Sequence, residues 1–317
     1  MQSTVQVCVE SQPKLQSKRF LSLDVFRGLT ILLMILVNSQ GTFYPYKILE
    51  HAKWHGGTLA DLVFPFFLFI VGVTSVISLK KAKKPEIYAA ILKRSLILFA
   101  FGLFLNVFPR PLDLETLRFY GVLQRIALCY FIGSILYLNS SFKAQILIFL
   151  GILIGYWALL TLIPVPGFGA NQLTEAGTWV AYVDQRIFAA SHLYGKVYDP
   201  EGLLSTLPAL ATTLLGMLTG NFIISSLKNP QQKCVRMLLI GILFLVSAYL
   251  WHHNFPINKN IWTSSFVLWS GGFALITFAF CYWIIDILGY FSWAQPLKIL
   301  GMNALFIFVF HVLLLKM

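Results

Sequence analysis

The sequence predicts an all-α fold, a polytopic transmembrane helical bundle of about nine spans. Two observations carry this. The chain of 317 residues is 58% hydrophobic and only 11% charged, with a mean hydropathy of +0.76, too apolar for a domain that keeps a polar surface in water. Its apolar runs also repeatedly reach the ~20 residues that cross ~30 Å of hydrocarbon as helix. They fall near 21–44, 58–79, 91–108, 119–138, 144–163, 203–225, 235–251, 262–285 and 297–315.

The first run is longer than a signal-peptide core and is followed by no small-residue cleavage pattern, so it predicts a retained span and no cleavage. It holds Asp24, Arg27 and Asn38, and intramembrane polar groups face protein or water rather than lipid. Arg27 and Asn38 are eleven residues apart, about three turns, which puts them on one helix face roughly 16 Å apart and outlines a polar track. Asp24 and Arg27, at i and i+3, would equally well neutralise each other. In the second run Asp61 precedes "LVFPFFLF", where Pro65 is expected to loosen the helix below the carboxylate. Asp61 also suits a helix N-terminus with Thr58 as cap.

The third run carries Lys93 and Arg94 near its start, where they count as inner-edge charge, and the fourth opens with Gln124 and Arg125 about a turn inside. An arginine there needs an anion; Asp61 and a substrate are both open. The fifth and sixth runs flank the 164–202 segment with Asp199 and Glu201, and the seventh and eighth flank "WHHNFPINKNIW" with Asn258, Lys259 and Asn260. The ninth carries Asn303 about two turns before His311.

Net charge is +12, which here reports topology rather than a nucleic-acid partner. With the N-terminus in the cytosol, fourteen of the 24 basic residues fall on the inner side or its edge and seven on the outer side, the bias expected of cytoplasmic loops. That orientation gathers His51, His55, Asp61, Arg118, Gln124, Arg125, Asp199, Glu201, Asn258, Lys259 and Asn260 at the outer face. No interior linker is polar enough to divide the chain, so residues 1–20 are expected to be a cytosolic tail and 21–317 one membrane domain.

Cys8, Cys129, Cys234 and Cys281 lack metal-ligand spacing and predict neither disulfides nor a metal site. His192, His252 and His253 read as interfacial hydrogen-bonders. His51 and His55 are four apart, but the "GG" after them argues for a loop, and no third ligand has helpful spacing.

Six blocks, "SLDVFRGLTILLMILVN", "HAKWHGGTLADLVFPFFLFIVG", "GVLQRIALCY", "YDPEGLLSTLPALATTLLGMLTG", "NKNIWTSSFV" and "GMNALFIFVFH", resemble in the same order blocks of the heparan-alpha-glucosaminide N-acetyltransferase family, from about Arg19 to His311. The resemblance implies a membrane enzyme that moves acetyl from cytosolic acetyl-CoA to a glucosamine amine on the other side. It implies that His51 occupies the catalytic histidine position and Asn38 the active-site asparagine, while His55 departs from the family pattern and inherits no role.

For such a reaction His51 serves either as base for the amine or as a covalent acyl carrier. Asn38 would steady the oxyanion or fix the histidine tautomer, and Asp61 would orient His51 or hold the sugar ammonium. Asp24 and Arg27 fall at the donor end, where cations meet CoA phosphates. Arg118, Gln124, Arg125, Asp199, Glu201, Asn258, Lys259, Asn303 and His311 are the candidates for the acceptor. The partners expected are acetyl-CoA, an amino sugar or glycan and membrane lipid, with no nucleic acid and no metal; a homodimer is left open. In a bacterial cell the location would be the cytoplasmic membrane. The competing readings are a transporter or channel that uses the same charges as a path, and a sugar O-acyltransferase.

Overall fold

A computed structural model describes residues 20–40, 46–80, 86–225 and 229–317. Lys14, Lys18, Arg19, Lys81, Lys83, Lys84 and Lys228 of the charge count, Cys8 and most of the tail lie outside the described residues. Among those described there are eleven helices and no β-strand, an all-α polytopic bundle. The helices are α1 (Leu21–Asn38), α2 (Val63–Leu79), α3 (Glu86–Val107), α4 (Val122–Asn139), α5 (Phe142–Thr161), α6 (Trp179–Ile187), α7 (Leu203–Ile224), α8 (Pro230–His252), α9 (Ser264–Cys281), α10 (Gln295–Met302) and α11 (Ala304–Lys316).

Local chemistry starts several of them. The side chains of Ser141, Thr178 and Thr263 accept from the N–H groups of Ala144, Ala181 and Phe266 and so cap α5, α6 and α9, filling donors that a helix leaves unpaired. Pro230 opens α8, where its missing N–H costs nothing. Pro65 falls in the first turn of α2, just after a short 3-10 turn at Ala60–Leu62. There an N–H has little to lose, so the helix runs on unbroken and the expected loosening is absent.

Among the described residues, eight helices are long and apolar enough to cross a membrane. They match the first eight expected runs to within a few residues, except that α1 ends at Asn38 and α3 and α8 start about one turn earlier. The ninth run is not straight. A helical stretch over Ser292–Met302 and α11 meet at a 69° bend centred on Asn303, whose side-chain amide donates back to the Ile299 carbonyl. The α11 end is held elsewhere, because Lys316 Nζ donates to the Phe108 carbonyl just past α3. Inside the 164–202 segment, α6 is an unexpected short amphipathic helix.

The central pair is α2 and α7, the most buried of the spans. Their backbones touch: a Cβ on Gly72 would lie 2.1 Å from the Thr213 carbonyl oxygen, and one on Gly216 would lie 2.1 Å from that of Phe69. The α1–α10 contact is built the same way, with Gly28 against the Leu297 carbonyl and Gly301 against that of Asp24. Small residues that let backbones meet are the usual means of packing helices in lipid, where hydrophobic burial supplies no net drive. By contrast α3 and α8 present Leu96, Phe104, Leu239 and Leu243 outward, as lipid-facing helices do.

Replacing Gly216 with valine should force α2 and α7 apart and cost about 1–3 kcal/mol or more. Gly151→Ala, at an open position on α5, should be neutral or slightly stabilising, since alanine is favoured over glycine in a helix by about 1 kcal/mol. Thermal unfolding of the two variants in detergent checks this; equal midpoints would contradict the backbone contact.

Candidate active site

His51 lies in the loop after α1, and Asp61 lies in the 3-10 turn that leads into α2. His51 Nδ1 is 2.7 Å from Asp61 Oδ1. The other carboxylate oxygen of Asp61 accepts from the Thr58 N–H at 3.0 Å, the Thr58 hydroxyl at 3.0 Å and the Ala52 N–H at 3.2 Å. A carboxyl that accepts from three donors on one oxygen is an ionised acceptor, so the imidazole nitrogen facing it carries the hydrogen. In the neutral ring that fixes the tautomer, with the lone pair on Nε2. The arrangement also explains the loop's shape, because one buried carboxylate ties residues 51, 52 and 58 to the helix start, with Thr58 as donor to Asp61 rather than as a separate cap.

Lys259, from the α8–α9 loop, brings its Nζ to 3.4 Å from Asp61 Oδ1 and 3.1 Å from His51 Nδ1. Burial pushes this lysine below its ordinary value, while the charges of Asp61 and Glu201 oppose the shift. His51, Lys259, Asn38 and Glu201 line one cavity of about 210 Å³, walled by α1, α2, α4 and α11 through Met34, Phe64, Val122 and Phe308. A second cavity of about 520 Å³ is lined by Arg27, Lys93 and Arg94 and by apolar side chains of α2, α3, α4 and α11. Phe67, Val122 and Phe308 belong to both walls. The two cavities therefore adjoin, with cations at one end and the histidine at the other.

Next to His51 lies a second charged cluster. Arg118 grips Asp199 through Nε at 2.7 Å and Nη2 at 2.6 Å and also donates to Glu201. Burial alone would lower its pKa, but the two carboxylates raise it. Arg118 and Asp199 thus satisfy each other, and Glu201 is the member that reaches the cavity. Arg125 is fully buried and does not hydrogen-bond Asp61. It donates to the Gly202 carbonyl at 3.1 Å and to the Ser205 hydroxyl, and lies over the Trp262 ring at 5.1 Å.

Other expected residues are placed differently. Asn258 is buried and structural in its contacts, accepting from the Ile261 N–H at 3.1 Å, with its amide 3.4 Å from His55. Gln124 is buried, its amide enclosed by Gly102 and Gly121, and lines neither cavity. Asn303 sits at the α10–α11 bend, and His311 lies within α11, outside both cavity walls. Asp24 and Arg27 approach at 3.4 Å, and Arg27 also donates to the Gly301 carbonyl at 3.2 Å. His192 and His252 make backbone contacts, at 2.8 Å to the Leu117 carbonyl and at 3.0 Å from the Ile257 N–H.

Two features escaped the sequence. Lys93 and Arg94 read there only as inner-edge charge, yet they line the larger cavity. Asp184, on α6, is buried and accepts the Asp199 N–H at 3.0 Å; burial pushes its carboxyl up to about 6. Its only signal was an acid in the amphipathic stretch "TWVAYVDQRI".

Fold and site together define a polytopic membrane protein whose carboxylate-oriented histidine opens onto an intramembrane cavity. The sequence matches the family model described as "Heparan-alpha-glucosaminide N-acetyltransferase, catalytic" over residues 19–254, and the chain belongs to that family. Two relatives carry the name heparan-alpha-glucosaminide N-acetyltransferase. The Homo sapiens protein is 28% identical over 353 aligned residues, covering 92% of this chain and 52% of that protein. The Mus musculus protein is 28% identical over 363, covering 94% and 54%. The chain spans about half the length of these curated relatives. His51, Asn38, Asp61, Arg118 and Glu201 fall within the family match, and Lys259 follows it.

Arg118→Met should leave Asp199 buried without its partner and cost about 2–3 kcal/mol, at the low side for a broken buried pair because Arg118 is partly exposed. Adding Asp199→Asn should recover part of the loss. Denaturation midpoints of the single and double variants check the coupling; additive losses would contradict it.

Proposed function

We propose that the chain transfers acetyl from acetyl-CoA to the amine of a glucosamine-type sugar, the acceptor class that the relatives' name specifies. The N-terminus is cytosolic, residues 21–317 act as one acyltransferase domain, the donor enters the larger cavity from the cytosol, and the acceptor meets it at His51. The observation that carries this reading is the adjoining pair of cavities, with Arg27, Lys93 and Arg94 at one end and His51 at the other. Cations at the first end suit phosphates, and the apolar walls between suit an uncharged acyl arm.

At the other end the amine nitrogen attacks the thioester carbonyl carbon, a C–N bond forms and the C–S bond breaks. The acceptor ammonium first loses one proton to water; His51 Nε2 then takes the second proton from the attacking nitrogen and passes it to the departing thiolate, so that N-acetyl sugar, thiol and one released proton balance the reaction. Asp61 holds the imidazole in the tautomer this requires, as a buried carboxylate does for a catalytic histidine. Asn38, at the cavity wall, supplies an amide N–H for the developing oxyanion, and Glu201 faces the substrate ammonium.

Purified protein incubated with labelled acetyl-CoA and a panel of amino sugars should yield an N-acetyl sugar, identified by mass. An ester product would identify an O-acyltransferase instead, and no product with solute movement would identify a transporter. His51→Ala should lower the rate by about 10²–10⁴-fold and leave acetyl-CoA binding intact; activity near that of the unaltered protein would overturn the site. A hydroxylamine-labile acetyl group on the protein, lost in His51→Ala, would identify a covalent relay, and its absence direct attack.

Arg27→Ala should weaken acetyl-CoA binding about 10-fold or more, by loss of a charge-assisted phosphate contact, with the sugar KM little changed. Equilibrium binding of labelled acetyl-CoA measures this, and unchanged affinity in the folded variant would remove Arg27 from the donor site.

A further inference from the structure

We propose that Lys259 is a positioning residue that keeps the His51 imidazole uncharged between turnovers, so that Nε2 is presented as a base. The inference rests on the proposed role of His51 as proton acceptor.

A histidine hydrogen-bonded to a buried carboxylate faces two demands. The carboxylate must orient the ring, yet its negative charge also stabilises the imidazolium, and an imidazolium cannot take a proton from an amine. At this site the carboxylate is shared. Asp61 Oδ1 is 2.7 Å from His51 Nδ1 and 3.4 Å from Lys259 Nζ, so the lysine offsets the carboxylate's charge while the hydrogen bond that orients the ring remains. Because Nδ1 already donates to Asp61, the 3.1 Å approach of Lys259 Nζ to that nitrogen offers the ammonium no acceptor there. It places one positive charge beside the ring, which opposes a second.

The other charged groups facing His51 do not supply this effect. Asp61 comes from the 3-10 turn before α2, Glu201 from the segment before α7 and Lys259 from the α8–α9 loop, and among the described residues these are the acids and bases on the shared cavity or the ring. Glu201 is itself drawn to Arg118. His55, four residues on, turns to Asn258. Lys259 is thus the cation placed to balance Asp61, whereas a lysine serving only to bind sugar would have no reason to share Asp61 Oδ1 with the histidine.

The test compares the pH dependence of kcat/KM in the full chain with that of Lys259→Met and Lys259→Arg. Loss of the charge should move the acid limb upward by about one pH unit, which is a loss of about tenfold in kcat/KM on that limb; Lys259→Arg should keep the limb in place. In parallel, histidine-labelled protein is titrated by NMR, with the His51 signal assigned by its loss in His51→Gln. The same upward displacement should appear for Lys259→Met without any substrate present. If Lys259→Met fails to fold, Lys259→Gln replaces it. An unmoved His51 titration in a folded neutral variant would overturn the inference, as would a higher sugar KM with the acid limb unmoved, which would make Lys259 a substrate contact. Failure of the unaltered protein to acetylate any amino sugar would instead sink the proposed reaction, and the substrate-free titration would still decide the role of Lys259.

Discussion

The carboxylate of Asp61 is the constraint on which the rest of the site depends. It is buried at the mouth of the bundle, where an unpaired charge would cost several kcal/mol. Its acceptor capacity is taken up by Thr58, Ala52, His51 and Lys259. Satisfying that one group brings together a loop after α1, the 3-10 turn that leads into α2 and the loop before α9. The histidine is oriented as a by-product of solvating the acid. Neighbouring Asp199 is solved in parallel, by Arg118 and by the backbone N–H groups of Tyr194 and Glu201.

The cavities follow from the helix packing. Where α2 meets α7 and α1 meets α10, glycine permits backbone contact, and those pairs fill the space between them. Gly28, Gly301 and Gly72 thereby draw α1 and α2 toward α10 and α7. The remaining space lies between α2, α3, α4 and the bent α11, where bulky Phe67 and Phe308 meet Val122 instead of interlocking backbones. The bend at Asn303 contributes, since beyond it α11 reaches the end of α3 through Lys316.

Much of this was legible in the sequence, and the reason is periodicity. Helices in lipid must satisfy their own backbone, so length and hydropathy located eight spans closely, and polar residues such as Arg27, Asn38 and Asp61 stood out against an apolar background. Pairings between loops did not show. Arg118 and Asp199 are 81 residues apart, and nothing in either segment names the other. Arg125 looked like a group in need of an anion, but its neighbours are a carbonyl, a hydroxyl and an aromatic ring, contacts that leave no pattern in sequence. The 297–315 run has the composition of a span and lacks the signal of its break, because neither proline nor a charge marks Asn303.

The wall that the two cavities share bears on what could pass between them. Phe67, Val122 and Phe308 are the residues common to both walls, and none offers a hydrogen bond or a charge. An ion passing from Arg27 to Lys259 would shed its hydration at that point without replacement, at a cost of several kcal/mol. A neutral chain loses far less there and gains apolar contact. For the proposed reaction this is the useful asymmetry: phosphates are held back at the cationic end, an uncharged thioester arm is admitted, and the ammonium of the acceptor stays on its own side. In that proposal the two chemistries meet at His51, whose ring is already held by Asp61.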